Sequence, residues 1–249
     1  MSAINNQFSL PGGASKKRFP AVRTACASKL LPLLLLLTLP VPAQAQFTYM
    51  TANGTITITG FTNMPFSVPA SAVIPTTING LPVTSIGAWA FEGCGGLNTI
   101  TIPSSVTSIG IYAFTGCERM GVYFEGNAPY AEWIIPGQDT MFSGDNYVTV
   151  YYLPGTSGWS STFGGVPTVA WFLPNPLVLN FDSFGVQDKQ FGFIISWATN
   201  NPVVVEACTN LANQIWSAVS TNTLIGGWSY FTDPQWTNYP SRFYRLRSP

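Results

Sequence analysis

Residues that could carry out chemistry are few in this sequence. The chain contains no histidine, which excludes catalysis by a serine or cysteine with an imidazole base and removes the most common zinc ligand. No glycine-rich loop is followed by the lysine of a nucleotide site. The ten acidic residues form no recognisable pair of facing carboxylates, which glycoside hydrolysis requires. The sequence therefore predicts a protein that is not an enzyme, with no catalytic residue, no cofactor and no metal site.

One loop has the residue types of a weak calcium site. Asp139 and Asp145 lie in the segment 137–146, and carboxylate and carbonyl oxygens are the ligands that Ca²⁺ prefers. Their spacing fits no known calcium loop, and the alternative is an ordinary solvated turn. We favour the solvated turn.

The first 45 residues have the organisation of a secretory signal peptide. A basic region ends at Lys29, an apolar stretch runs from Leu30 to Leu39, and Ala43 and Ala45 are small residues that signal peptidase accepts. The alternative is a membrane anchor, but prolines limit the apolar run to about twelve residues, and a bilayer span takes about 20. We expect cleavage after Ala45, export to the periplasm, the cell surface or the medium, and no membrane span in the mature chain.

Composition and charge exclude nucleic acid as a partner. Charged residues make up 8% of the chain and hydrophobic residues 46%, with 23 glycines and 20 prolines, which is typical of an exported protein rich in strands and turns. After residue 45 the chain has five basic and ten acidic residues. Clustered lysines and arginines for a phosphate backbone are therefore missing.

Two segments of the sequence repeat each other at a spacing of 23 residues. Residues 83–97 (VTSIGAWAFEGCGGL) and 106–120 (VTSIGIYAFTGCERM) are identical at nine of fifteen positions, where unrelated segments match at about one. Each unit has an apolar edge, a glycine, an Ala-Phe pair for the interior and a small cysteine. One unit cannot bury its own apolar side, so units of this kind must stack as coils.

The residues around the repeat predict the remaining parts of the coils. Residues 97–102 alternate apolar and polar side chains, the pattern of a half-buried strand that ends before proline. Gly87 and Gly110 are expected to have a positive φ in the turn that follows the apolar edge. An Asn-Gly turn predicts a hairpin over residues 47–63 as an N-terminal cap, and residues 155–171 are expected to form the cap at the other end.

The pattern L-x-x-I-x-I-P-x-x-V-x-x-I-G-x-x-A-F-x-x-C, which runs from Leu97 to Cys117, resembles the BspA-type leucine-rich repeat of bacterial surface proteins. The resemblance extends over residues 47–171. It implies a short solenoid at the cell surface or outside the cell, associated with adhesion and protein binding. It brings no catalytic residues with it.

Cys94 and Cys117 occupy equivalent positions in adjacent coils. Coils stack about 5 Å apart, near the spacing of strands, so a disulfide between these residues is geometrically feasible. The alternative, which we favour, is a ladder of buried thiols that pack as small hydrophobic groups. Cys208 is the third cysteine after residue 45, and titration of three thiols in the denatured, unreduced protein would exclude the bridge.

Aromatic residues provide the candidate ligand contacts. Trp89 and Tyr112 precede Ala-Phe at matched positions of the two units and could form an exposed aromatic step. Alternatively they pack one coil against the next, which we favour. Trp197 and Trp216 lie in strand-like runs and are expected in the core.

A change in composition at residues 173–176 (Leu-Pro-Asn-Pro) predicts a linker. It divides a leucine-rich-repeat solenoid with caps, residues 46–172, from a C-terminal β module, residues 177–249. Short strand-like runs separated by turn residues are typical of a small antiparallel sandwich. The predicted strands are Leu177–Phe181, Phe191–Trp197, Val203–Ala207, Trp216–Val219, Trp228–Thr232 and Arg242–Leu246. Residues 195–197 (Ile-Ser-Trp) and 243–246 (Phe-Tyr-Arg-Leu) weakly resemble strands B and F of a fibronectin type III or immunoglobulin-like domain.

The predicted fold class is therefore mainly β, with a short leucine-rich-repeat solenoid followed by a small antiparallel β-sandwich-like module. We expect a secreted or cell-surface, non-enzymatic binding or adhesion protein that acts through protein–protein contacts of the solenoid. A carbohydrate-binding module that uses exposed Trp89, Tyr112 and Trp228, a hydrolase with an unrecognised carboxylate pair and a structural envelope component are the alternatives. The expected partner is a protein or a surface glycan, and a glycan array with a Trp89→Ala variant distinguishes the two.

Overall fold

The computed structural model describes residues 46–62, 68–132, 141–145, 147–181 and 183–248. These residues form β-strands joined by turns, with a short 3₁₀ helix at Trp236–Asn238. The mainly β class is confirmed. The expected signal peptide, residues 1–45, lies outside the described residues, and so does Asp139.

The N-terminal region contains twelve strands in two sheets built largely from parallel pairs. In chain order the strands are β1 Phe47–Ala52, β2 Thr55–Phe61, β3 Ser71–Val73, β4 Thr77–Ile78, β5 Leu81–Ile86, β6 Thr99–Ile102, β7 Ser108–Ile109, β8 Arg119–Phe124, β9 Tyr130–Ala131, β10 Tyr147–Tyr152, β11 Thr162–Phe163 and β12 Val166–Ala170. The sheet that begins with β1 has the order β1-β2-β5-β7-β9, with β4 paired to β5, and is called the short sheet because β4, β7 and β9 have two residues each. The other sheet, called the long sheet, has the order β3-β6-β8-β10-β12-β11. Successive coils thus add one strand to each sheet.

The expected hairpin caps the first coil. Strands β1 and β2 pair antiparallel with Ala52 opposite Thr55, and the two residues between them, Asn53 and Gly54, have φ values of 50° and 76°. Two successive positive φ values match the right-handed twist of the strands, and Asn-Gly tolerates them best. The hairpin prediction is confirmed.

A column of phenylalanine rings fills the space between the two sheets. Phe91 and Phe114 stack with ring centroids 5.4 Å apart, and Phe114 stacks on Phe142 at the same distance. The Phe114 N–H donates to Met141 O, as the Phe91 N–H donates to Ala113 O in the preceding coil. Phe142 therefore belongs to a third coil, which the sequence repeat did not reveal. Phe47 and Phe61 close the column at its N-terminal end.

The glycines after the apolar edge act differently from the prediction. Neither Gly87 nor Gly110 has a positive φ, and that conformation falls two residues later, on Trp89 and Tyr112, each with φ of 55°. A Cβ on Gly110 would lie 2.4 Å from Ala88 N. Glycine is needed here because the backbone of the preceding coil approaches too closely for a side chain.

The C-terminal module contains seven strands in two sheets. The strands are β13 Leu177–Leu179, β14 Gly185–Gln187, β15 Gln190–Ser196, β16 Pro202–Cys208, β17 Ser217–Thr223, β18 Trp228–Asp233 and β19 Phe243–Arg247. One sheet pairs β15 with β13, β14 and β18, and the other has the order β17-β16-β19, with antiparallel pairs throughout. All six predicted strands are present, and β14 is an addition. A separate hydrophobic cluster lies in this module, with Phe193, Ile195, Val205 and Phe231 among its buried members.

Close backbone approaches bring the module against the last coil. A Cβ on Gly155 would lie 2.8 Å from Ile194 Cγ2, and one on Gly227 would lie 2.9 Å from both Phe172 and Pro154. The two glycines therefore permit contact between the regions before and after the Leu-Pro-Asn-Pro segment.

A buried carboxylate ties two strands of the C-terminal module together. Glu206 on β16 accepts hydrogen bonds from Arg245 Nε at 2.7 Å and from Arg247 Nε at 2.9 Å on β19. Burial alone would raise the pKa of Glu206, but the hydrogen bonds and charges of both arginines outweigh burial and lower the pKa. The ionised carboxylate is therefore a stabilising element of this sheet.

Glu206→Gln is expected to lower the free energy of unfolding by about 1–2 kcal/mol at pH 7, since both guanidinium groups are partly exposed. A group with a lowered folded pKa contributes stability above its unfolded pKa of about 4.3 and loses it as the pH falls through the folded value. Urea denaturation at pH 7 and pH 3 should therefore show a larger difference between variant and wild type at pH 7 than at pH 3. Glu92→Gln, at an exposed turn, is the control, with an expected change below about 0.5 kcal/mol. An equal loss for Glu206→Gln at both pH values would contradict the account.

Candidate ligand-binding surface

The outward face of the long sheet carries a continuous row of side chains. Because neighbours along a strand point to opposite faces, the buried residues of β8 and β10 leave alternate positions facing outward. The strand registers align one such position from each coil. The row consists of Val73, Thr101, Tyr123, Tyr151 and Val169. The two tyrosines stand at its centre.

Tyr123 and Tyr151 form a stacked pair of rings on this face. Their centroids lie 4.6 Å apart with an interplanar angle of 8°, and Trp171 meets Tyr123 edge-on at 4.9 Å. A Cβ on Gly121 would lie 2.8 Å from the Tyr123 ring, so the ring lies directly over Gly121. Glycine at this position allows the tyrosine to lie low on the sheet.

Arg119 and Tyr147 occupy the opposite end of the same two strands. They are register partners, and the Arg119 guanidinium carbon lies 4.8 Å from the centroid of the Tyr147 ring, a cation–π contact. Between the two pairs lies an open groove of about 570 Å³. We call it the tyrosine groove; its lining residues are Asn98, Thr99, Arg119, Met120, Gly121, Tyr123, Tyr147, Thr149 and Tyr151.

The sequence-predicted contacts Trp89 and Tyr112 lie on the turns between the two sheets and do not line the tyrosine groove. Their rings stack at 5.8 Å with an angle of 24°, which is the packing of coil against coil that we favoured. Trp89 is nevertheless 49% exposed, so the stack also presents an aromatic surface. Bulky residues rarely adopt positive φ, and both residues are held in it by the hydrogen-bonded turns, in which the Trp89 N–H donates to Ile111 O.

Cys94 and Cys117 are in contact in the core as two buried thiols, and the structure records no disulfide between them. The Cys117 thiol donates to Phe91 O at 3.2 Å. Its hydrogen bond with Cys94 and its burial raise the pKa of Cys117. This arrangement is that of small hydrophobic groups.

Asp145, which belongs to the candidate calcium loop, accepts a hydrogen bond from the backbone of the preceding coil. Its Oδ1 accepts the Glu118 N–H at 3.0 Å. Burial raises its pKa above the ordinary value, against the lowering effect of this and neighbouring backbone N–H groups. In the described ranges, His, Cys, Asp and Glu side chains form no group of three or more that could hold a metal ion.

Reasoning from the sequence alone missed the tyrosine groove. The register that sets Tyr123 beside Tyr151 depends on how the coils stack. The sequence does contain a signal for this face, because apolar residues alternate with other residues in two segments. The alternating positions are Arg119, Gly121 and Tyr123 in the first segment and Tyr147, Thr149 and Tyr151 in the second.

Trp197 and Trp216 of the C-terminal module are less buried than expected. Trp197 is half-buried and packs against the hydrophobic cluster of the module. Trp216 is half-buried and lies under the Arg245 guanidinium, 4.4 Å from its carbon. Trp228 is 44% exposed.

Among the residues with described structure, no helix is both long and apolar enough to cross a membrane.

Comparison with known proteins identifies the repeat. The family described as "BspA type Leucine rich repeat region" matches residues 71–129, with 6 copies. No curated protein matches the chain. A solved structure, that of the T. pallidum leucine rich repeat protein, aligns with 24% sequence identity and a TM-score of 0.32 over 50% of this chain and 62% of that chain.

The predicted leucine-rich-repeat fold and the resemblance to the BspA type are confirmed by the family match. Regions of this kind are typically binding modules. The fibronectin-like character of the C-terminal module stays a prediction. Residues 71–129 of this chain are therefore similar to the BspA-type leucine-rich repeat region.

Proposed function

We propose that this protein is an exported, non-enzymatic binding protein that engages another protein through the tyrosine groove. The observation that carries the proposal is the stacked pair Tyr123–Tyr151 on the outward face of the long sheet, bordered by Trp171 and by Arg119 over Tyr147. Tyrosine, tryptophan and arginine are the residues that most often dominate the free energy of protein–protein binding. Here they converge on one face.

The packing of the two tyrosine rings supports the proposal. Binding loses free energy when rotamer-rich side chains become ordered, by about 0.5–1.5 kcal/mol each. The tyrosine rings are already held by stacking on each other and over Gly121, so this cost is reduced before any partner arrives. Small neighbours such as Thr99 and Thr149 leave the groove open.

Export and domain organisation belong to the same proposal. The basic and apolar leader ending at Ala45 supports secretion or display at the cell surface, where adhesion is the expected role. We propose a repeat unit over residues 46–172, a linker over 173–176 and a β module over 177–249. The absence of histidine from the sequence supports a role without catalysis.

Replacing both Tyr123 and Tyr151 by serine is expected to weaken binding about 100-fold, since two central anchors are lost. The probe is a phage library of random 16-residue peptides selected on the purified protein, with the affinity of the enriched synthetic peptides measured by fluorescence anisotropy. Tyr130→Ser, at a 60% exposed tyrosine on the short sheet, is the matched control and should change the affinity less than twofold. Circular dichroism melting confirms that each variant is folded.

Two outcomes would contradict the proposal. One is a library that yields no enriched peptide. The other is a set of enriched peptides that bind the Tyr123→Ser/Tyr151→Ser variant as tightly as wild type.

Carbohydrate binding is the second candidate, because Trp89 and Trp228 are 49% and 44% exposed. Exposed indole faces could stack on sugar rings. Specific binding on a glycan array that is lost in Trp89→Ala and retained in Tyr123→Ser would favour this candidate over the protein partner.

A further inference from the structure

We propose that the tyrosine groove takes an extended polypeptide segment that places one acidic side chain on Arg119 and an apolar side chain about two residues away on the Tyr123–Tyr151 pair. This inference rests on the proposed protein-binding function and deepens it by naming the chemistry of the partner.

Arg119 is a lone cation in an acidic region. It is the only basic residue between positions 46 and 188, a stretch that contains eight acidic residues. All ion pairs found among the described residues involve Arg242, Arg245 or Arg247 of the C-terminal module, so no described carboxylate neutralises Arg119. The groove thus offers one positive charge that a partner can complement.

The cation–π contact places the guanidinium at one end of the groove. Its carbon lies 4.8 Å from the Tyr147 ring centroid. A guanidinium carries five N–H donors in one plane, and a carboxylate can accept two of them at once. Asn98 and Thr99 line the same groove and can donate or accept further hydrogen bonds.

The spacing of the groove fits an extended peptide. The Tyr123 ring lies over Gly121, which is two residues from Arg119 on β8, a separation of about 7 Å in a strand. A peptide laid along the strand direction spans the same length with two residues, and its side chains at both ends point to the same face. The expected recognition pattern is therefore an acidic residue and an apolar or aromatic residue separated by one other.

An acidic polysaccharide is the less suitable occupant. A polymer with a carboxylate on every sugar needs several cations along its path, and electrostatic complementarity governs such pairing. The tyrosine groove has one cation at one end and aromatic rings at the other. A single acidic side chain within an otherwise uncharged segment matches this distribution.

The test uses the phage library of random 16-residue peptides on the full, purified protein. We expect the enriched sequences to share an acidic residue two positions from an apolar one. A synthetic peptide of that sequence should bind Arg119→Gln about 10-fold more weakly than wild type, and Arg119→Lys should recover part of the loss. Lys189→Gln, which removes an exposed cation from the C-terminal module, is the matched control and should bind within twofold. Polygalacturonate should not compete with the peptide.

Unchanged affinity in Arg119→Gln, enriched peptides without an acidic residue, or full competition by polygalacturonate would overturn the inference. Its failure is distinguishable from failure of the proposed function. If Tyr123→Ser/Tyr151→Ser abolishes peptide binding while Arg119→Gln does not, the protein-binding role stands and only the acidic partner is wrong.

Discussion

Phe114→Ala is expected to lower the free energy of unfolding by about 3–5 kcal/mol, the range measured for removal of a fully buried phenylalanine ring. Phe114 is fully buried and stacks on Phe91 on one side and Phe142 on the other, at 5.4 Å in both cases. Because it is the central ring of the column, its removal leaves a cavity that neither flanking coil can fill. Urea denaturation followed by circular dichroism measures the change.

Phe172→Ala is the matched control for this result. Phe172 is 49% exposed and follows the last strand of the repeat region, so its loss should change the free energy of unfolding by less than about 1 kcal/mol. Equal effects at both positions, or a loss below about 1 kcal/mol for Phe114→Ala, would contradict the conclusion that the phenylalanine column holds the coils together.

Gly110→Ala is expected to destabilise the protein by about 2–4 kcal/mol, which is large for the addition of one methyl group. The new Cβ would lie 2.4 Å from Ala88 N and 2.8 Å from Ala88 Cα. These are backbone atoms of the preceding coil, which cannot rotate away as a side chain could. The coils must separate locally, which also strains the hydrogen bond from the Gly110 N–H to Ile86 O. Thermal melting and urea denaturation both report the loss.

Gly87 provides a control at the equivalent position one coil earlier. A Cβ there would first meet Ile58 O at 3.3 Å, a contact that a shift of a few tenths of an ångström relieves. Gly87→Ala should therefore change the free energy of unfolding by no more than about 1 kcal/mol. If the two substitutions have the same effect, close stacking at Gly110 is not what requires glycine.

The repeat predicted the interior of the coils because each buried residue recurs at a fixed spacing. Phe91 and Phe114 are 23 residues apart, and both are buried as expected. Phe142 follows Phe114 by 28 residues, so it falls out of the period, although its ring occupies the next place in the same column. A sequence period identifies coils of equal length, whereas ring stacking identifies a coil with a longer loop.

The strands of the C-terminal module were predicted from alternation and turn residues, with the exception of β14. The reason that β14 was missed is local. The run Gly185–Gln187 is only three residues long and has too few positions to show a period of two. It becomes a strand because Val186 pairs with Phe191 across a tight turn, where Asp188 and Lys189 take positive φ values. Tertiary pairing decides short strands of this kind.

The candidate site was the least predictable part because it depends on register between coils. The sequence drew attention to Trp89 and Tyr112, which stand at equivalent repeat positions. The tyrosines of the groove do not repeat: where Tyr123 and Tyr151 stand, the preceding coil has Thr101. Binding residues that differ from coil to coil are invisible to a search for repeats.

The most direct test of the account is photo-crosslinking from the groove itself, on cells that produce the protein. A photoreactive phenylalanine analogue at Thr149, in the floor of the tyrosine groove, should give a defined protein adduct that disappears in Tyr123→Ser/Tyr151→Ser. The same analogue at Tyr130, on the short sheet, should give no such adduct. An adduct from Tyr130 but not from Thr149, or an adduct from Thr149 that persists without the tyrosines, would contradict binding through the groove.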